Sequence, residues 1–311
     1  MKRFIFIGAA IVCALVVATA LGEAVLRLGE ATEPAPEVFA VPLDGKPHRA
    51  SQVPGLYWEM APNTDVVFQD VRVRTNGEGF RSAAIGPKKV AQRIVVLGDS
   101  ITFGARVAQR ETYTSVLGRL LNAEAINCGV SGYNLVQSVI NYRTKAAFYD
   151  PGMVVLGLFG DDFFPPYLPR EKTARLWLTL HSRLFRRLAG AERQAFDEAG
   201  AAQRAATDLR DFAAQLAREK RELLIVVHPN LRDGGPPDPS LAHRVMEKTL
   251  AEIDAPVLQL SEIYRATGRP LSSFSVDPAR YDVHPSAAGH RLIAEAIARE
   301  LAQSSDETGT E

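Results

Sequence analysis

The chain has 311 residues, 46% hydrophobic and 23% charged, a composition that suits one large α/β domain with additions and excludes a disordered or fibrous chain. Its 36 Lys and Arg balance 36 Asp and Glu, so no overall field draws it to nucleic acid, and no nucleic-acid module is visible. The two cysteines, Cys13 in an N-terminal apolar run and Cys128 at the end of a predicted strand, offer neither a bridge nor a metal-ligand spacing.

Lys2-Arg3 precede an unbroken apolar stretch from Phe4 to Gly22, long enough to cross a hydrocarbon core of ~30 Å at ~1.5 Å per residue. Basic residues before it and Glu23, Glu30, Glu33 and Glu37 after it place the N-terminus in the cytoplasm and the body outside. Residues 1–30 are therefore expected to be a single transmembrane helix. Cleavage as a signal peptide is the competing reading, because Ala18-Thr19-Ala20 resembles a processing site. The length of the run, and its helical continuation through Glu23-Ala24-Val25-Leu26-Arg27-Leu28, favour a retained anchor.

Residues 31–90 read as a linker and a small β arm. Pro34, Pro36, Pro42, Pro47 and Pro54 mark residues 31–56 as extended. The runs Val66-Val67-Phe68 and Val71-Arg72-Val73, closed by Asn76-Gly77-Glu78-Gly79, predict a hairpin with Phe80 packing onto the main domain.

From Arg93 the steady alternation of strand and helix patterns predicts a parallel sheet with helices on both faces, within a domain spanning 91–303. Strands are expected at 93–97, 124–128, 152–158, 222–228 and 256–260, and helices around 110–122, 134–148, 202–219, 240–253 and 286–302. An insertion, 163–200, opens with Phe163-Phe164-Pro165-Pro166-Tyr167. It continues as a basic amphipathic helix with Arg175, Arg183, Arg186 and Arg187 beside Leu176, Trp177, Leu180, Leu184 and Leu188. That helix reads either as a lid or membrane-contacting element or as a domain helix with a solvated basic face. The polar tail 304–311 is expected to be disordered.

The chemistry gathers at strand ends. Ile94-Val95-Val96-Leu97 run into Gly98-Asp99-Ser100, a buried strand delivering a serine to a helix start, where free N–H groups suit a developing oxyanion. Taken alone, the tripeptide is equally a turn followed by a cap. A serine nucleophile needs a base, and the base an orienting acid. His284, before Pro285 and a helix, lies at the same sheet edge as Ser100 if both loops follow parallel strands. Asp282 can reach it locally, with Asp277 in reserve. His228, at a strand end, is a weaker rival, and His48, His181, His243 and His290 read as packed or capping residues.

These blocks resemble the SGNH/GDSL hydrolase family of bacterial serine esterases and acyl-transfer enzymes. Gly98-Asp99-Ser100-Ile101-Thr102 is similar to the family's nucleophile block and Asn127-Cys128-Gly129-Val130-Ser131-Gly132 to its second. Gly160-Asp161-Asp162 is similar to the third and Asp282-Val283-His284-Pro285 to the last. Thr75-Asn76-Gly77-Glu78-Gly79-Phe80-Arg81 also resembles the lead-in of anchored bacterial members. The resemblance implies a flavodoxin-like three-layer α/β/α sandwich behind the anchor, at a bacterial inner membrane with the catalytic domain outside. It implies Ser100, His284 and Asp282 as catalytic group, and Ser100 and Gly132 as oxyanion donors. No metal or organic cofactor is required.

Two departures stand out. Asp161 occupies the place of an asparagine whose amide usually stabilises the oxyanion. Either burial holds Asp161 neutral, or Asn134 replaces it as donor, or the site is weakened. The acid lies two residues before the histidine, because Tyr281 takes the three-residue position; relatives acting on polysaccharide acyl groups share that spacing. The expected substrate is a small ester or an acylated cell-envelope glycan, with an O-acyltransferase or a silent anchored binding protein as alternatives. No protein partner is readable.

Overall fold

The computed structural model describes residues 2–29, 38–39, 47–86, 92–169, 197–232, 240–280 and 282–308. Helix α1 (Lys2–Gly29) comes first. Among the described residues no helix is long and apolar enough to cross a membrane; the side chains of residues 2–10, part of the expected anchor, lie outside them. A two-residue strand β1 (Val38–Phe39) follows.

The arm is more regular than its prolines suggest. Strand β2 (His48–Ala50) lies inside the stretch read as linker and pairs antiparallel with β3 (Trp58–Met60). Strands β4 (Asp65–Phe68) and β5 (Val71–Arg74) form the expected hairpin. Its turn is Gln69-Asp70, both with positive φ, a two-residue connection whose twist matches the strands. Asn76–Gly79 makes a separate turn after the hairpin, in which the Asn76 side chain accepts the Phe80 N–H at 2.8 Å. That turn delivers Phe80, 2% exposed, into the core of the main domain.

The main sheet has strands β6 (Arg93–Leu97), β7 (Glu124–Asn127), β8 (Met153–Leu158), β10 (Glu222–Val227) and β11 (Val257–Gln259), all parallel, in the order β11-β10-β8-β6-β7. A further short strand, β9 (Leu168–Pro169), pairs with β1 outside this sheet. Period-2 alternation of branched residues fills both faces. Val95 and Leu97 face one core with α4 (Leu135–Thr144), α5 (Glu198–Arg218) and α6 (Leu241–Glu252). Ile94 and Val96 face the other with α3 (Tyr113–Leu121), α7 (Leu260–Ala266) and α8 (Ala287–Thr308). Each such side chain, fully buried, contributes roughly 1.5–3 kcal/mol of hydrophobic stabilisation. The result is a three-layer α/β/α sandwich.

Local chemistry sets the helix limits. Thr112 caps α3, so the helix starts after a 3₁₀ turn at Gln109–Glu111. Asp197 caps α5 through the Gly200 N–H, which starts that helix before residue 202. Helix α8 runs to Thr308, past the point where the polar tail is expected to lose order; no Gly or Pro interrupts residues 304–308. The basic stretch 170–196 of the insertion lies outside the described residues.

The chain leaves β6 for β7 on one side and then for β8 on the other. The switch point between β6 and β8, where a crevice opens at the carboxyl ends of parallel strands, is where ligands bind in such sheets.

Candidate active site

Four loops meet at that crevice. Gly98 leaves β6 at φ 146, and a Cβ there would collide with Thr102 and the Gly157 carbonyl, so only glycine allows the turn this close to the sheet. Asp99 then accepts the Ile101 N–H at 2.8 Å and starts helix α2 (Ser100–Phe103), with Ser100 as its first residue. Asn127, at the end of β7, ties the second loop to this helix, its amide donating to the Thr102 carbonyl at 2.8 Å.

Ser100 Oγ lies 2.9 Å from His284 Nε2, and His284 Nδ1 lies 2.6 Å from Asp282 Oδ1. With the Nδ1 proton on the carboxylate, Nε2 is the acceptor facing the hydroxyl. The backbone N–H of His284 also donates to Asp282 Oδ1, at 2.9 Å, fixing the carboxylate at its base. The loop carrying both residues is fastened to the segment before it. Ser275 Oγ donates to the Asp282 carbonyl at 2.6 Å and the Val276 N–H to the His284 carbonyl at 3.0 Å. Burial works to raise the pKa of Asp282, but hydrogen bonds from His284 and the charges of His284 and Arg106 outweigh it and hold the carboxyl below its usual range. Arg106 Nη1 sits 3.3 Å from Asp282 Oδ2 and 3.8 Å from Asp277 Oδ2.

On the other side of Ser100 stands the loop after β7. Gly132 adopts φ 78, which favours glycine. Among the described groups, the backbone N–H of Ser100 and of Gly132 have no hydrogen-bond partner. The arm holds this loop, because Trp58 Nε1 donates to the Ser131 carbonyl at 3.1 Å and Tyr133 Oη to the Trp58 carbonyl at 2.6 Å.

The loop after β8 is acidic. Asp161 Oδ2 accepts from Tyr167 Oη at 2.6 Å, and no Lys or Arg pairs with it among the described residues. Burial, and then the Asp161 charge, push Asp99 up to about 6. Burial, then Asp99 and Asp161, push Asp162 well above the usual carboxylate range. Asn134, considered as a donor, stands at the start of α4. It caps α4, its Oδ1 accepting the Gln137 N–H at 3.1 Å and its amide donating to the Phe164 carbonyl at 3.1 Å.

The remaining histidines are packed groups. Burial pushes His228 and His290 down to about 3 and His48 to about 4, which keeps each neutral. His228 and His290 flank the Tyr113 ring, and His290 Nδ1 accepts the Tyr113 N–H at 3.1 Å. His243 shares a 2.7 Å hydrogen bond with Ser240, the cap of α6. His181 lies outside the described residues, as does Tyr281. Both cysteines are free, Cys128 being buried. Among the described residues no group of His, Cys, Asp and Glu is arranged to hold a metal.

Sequence reasoning passed over Arg106 and Tyr167 as site residues. Arg106 follows Ala105 in an ordinary-looking loop, and only its partners, far along the chain, give it a role. Tyr167 stands among prolines and aromatics that signal an insertion rather than a site.

Residues 96–292 match the model of the GDSL-like Lipase/Acylhydrolase family. No curated protein matches the chain. Solved structures resemble it at low identity. TesA is 17% identical, with 66% of this chain and 96% of that chain covered and a TM-score of 0.45. A catalytic mutant of Axe2, an acetylxylan esterase from Geobacillus stearothermophilus, is 16% identical, covering 68% and 96%, with a TM-score of 0.45. The psychrotrophic esterase EstA from Pseudoalteromonas sp., inhibited by monoethylphosphonate, is 14% identical, covering 69% and 99%, with a TM-score of 0.43.

Proposed function

We propose that this chain, which belongs to the GDSL-like lipase/acylhydrolase family, is a serine esterase using Ser100, His284 and Asp282. The observation that carries the reading is the unbroken hydrogen-bonded chain from Ser100 Oγ through both imidazole nitrogens to Asp282. Ser100 Oγ attacks the ester carbonyl carbon while His284 Nε2 takes its proton, and Asp282 steadies the imidazolium. The N–H groups of Ser100 and Gly132 hold the oxyanion. The tetrahedral intermediate collapses as His284 returns the proton to the departing alcohol. Water, deprotonated by His284, then attacks the acyl-enzyme, releasing the acid and restoring Ser100. Asp161 contributes a donor to the oxyanion only when protonated; as a carboxylate it opposes the developing charge.

The substrate class is an O-acyl ester, either small or carried by a cell-envelope glycan. Location supports the glycan. The apolar run 4–22 behind Lys2-Arg3 is long enough to anchor the chain in a bacterial inner membrane with the domain outside. In the described part of α1, Ile11, Val12, Leu15, Val16, Val17, Leu21 and Val25 are each at least 55% exposed, an apolar surface that suits lipid. A glycan hydroxyl in place of water would make the same site an O-acyltransferase. Asp161 favours a second reading, a silent anchored binding protein that uses the cleft without turnover.

The test is hydrolysis of p-nitrophenyl acetate and butyrate, with and without an oligosaccharide acceptor, by the wild type and Ser100→Ala. Turnover that disappears in Ser100→Ala is expected. Transfer without hydrolysis moves the assignment to the acyltransferase, and no turnover of either kind moves it to the binding protein.

A further inference from the structure

The segment after the nucleophile helix is held from outside the sheet. Gly104 closes α2 at φ 82, and Arg106, which is not a glycine, sits at φ 61, a left-handed conformation that side chains rarely adopt. Such a residue persists where its surroundings over-determine it. The surroundings here are Arg81, contributed by the arm and 1% exposed. Its Nη1 donates to the carbonyls of Phe103 at 2.8 Å and Gly104 at 2.6 Å, and its Nη2 to that of Val107 at 2.7 Å. The guanidinium also lies 4.8 Å over the Phe103 ring. A planar fork reaching three carbonyls fixes the backbone on both sides of residue 106.

From that fixed position Arg106 meets the acid of the site. Asp282 has two oxygens, and Oδ1 is engaged with His284. Oδ2 faces Arg106 Nη1 at 3.3 Å, with Asp277 on the same nitrogen at 3.8 Å. A hydrogen bond on one oxygen and an ion pair on the other restrain the carboxylate from turning away from the imidazole.

We propose that Arg106 is a positioning residue for the reaction, holding Asp282 Oδ1 against His284, and that buried Arg81 sets it in place, making the N-terminal arm a working part of the active site. The inference rests on the reading of Ser100, His284 and Asp282 as the catalytic group. Arg106 has a second consequence through charge. His284 faces Asp282 and interacts with the charge of Asp99; its neighbour His290 is neutral, and Asp277 lies 3.8 Å from Arg106. Removing this cation leaves the acids facing His284 unopposed by Arg106 and favours the protonated imidazole, so less free base is present at a given pH.

The experiment uses the full chain and compares wild type, Arg106→Gln and Arg106→Lys, with p-nitrophenyl acetate from pH 5 to 9. Arg106→Gln is expected to lower kcat ~10–100-fold, less than the ~10⁴ lost with a triad acid, with KM little changed. The acidic limb of kcat/KM is expected to move to higher pH. Arg106→Lys restores the limb but only part of kcat, because an ammonium lacks the fork. An unmoved limb in Arg106→Gln overturns the proposal, whether or not kcat falls, since a merely structural role would lower activity and leave the limb in place. The imidazole signals of His284, followed by NMR across the same pH range in the background of Ser100→Ala, read the same effect without turnover. If the wild type shows no Ser100-dependent activity but the His284 titration still moves up in Arg106→Gln, the catalytic reading fails and the arginine's hold on the pair stands. If the titration does not move, the proposal fails by itself.

Discussion

The two flanks of Ser100 are built on opposite electrostatic plans. On the His284 flank, one oxygen of Asp282 is hydrogen-bonded to His284 and the other is ion-paired with Arg106. On the Asp161 flank, three carboxyl groups crowd the ends of β6 and β8. Two of them are pushed toward protonation, and a tyrosine hydroxyl answers the third. In the proposed mechanism the proton-transfer half has its hydrogen-bonded chain in place, while an acidic side chain, Asp161, stands where the resemblance to the family places an oxyanion donor. The two flanks are set separately because the loop after β8 brings Asp161 and Asp162 while the loop before α8 brings Asp282 and His284.

Substitutions on either flank separate the two plans. The largest effect belongs to the nucleophile: Ser100→Ala is expected to lower kcat by ~10⁶, as removal of a triad serine does, measured on p-nitrophenyl acetate. Asp282→Asn follows, with ~10⁴ lost through the wrong imidazole tautomer. Activity kept in Asp282→Asn would mean that Asp277 supplies the acid. On the opposite flank the sign reverses. Asp161→Asn supplies an amide donor and removes a charge, so kcat is expected to rise, by up to the ~10²–10³ that one oxyanion donor contributes. A fall would make the Asp161–Tyr167 pair part of the working site and dissolve the contrast.

The smallest effect is on stability. Asp99 is raised from its usual 3.8 to about 6 by burial and Asp161, so the folded state takes up its proton more readily than the unfolded chain. Its contribution is fully present below about pH 4 and is lost as pH rises through about 6. Asp99→Asn, which can still accept the Ile101 N–H, is expected to unfold at a higher temperature than wild type at pH 8 and at the same temperature near pH 4. A gap that does not vary with pH would show that the Asp99 charge is not what burial opposes.

Much of the architecture is legible in the sequence because it is local. All five sheet strands lie within a residue or two of their expected limits, since branched residues alternating over a short run specify a buried strand. Ser100 is likewise marked by a short motif after β6, and Asp282 and His284 by one just before α8. What the sequence hides depends on distant partners. Strand β2 is disguised by neighbouring prolines, and only Trp58–Met60 across the pair makes it a strand. Arg106 means nothing until Asp282 is beside it, and Arg81 until the carbonyls of residues 103, 104 and 107 surround it. Asn134 has the residue type of an oxyanion donor, yet its place before α4 makes it a cap.

The most direct test of Ser100 as a nucleophile activated by His284 is covalent. The full chain would be treated with a fluorophosphonate and the adduct located by peptide mass mapping, beside His284→Ala. One adduct per chain is expected, on Ser100, forming far more slowly in His284→Ala. An adduct on another residue, or ester hydrolysis by a chain that Ser100 labelling leaves fully active, would contradict it.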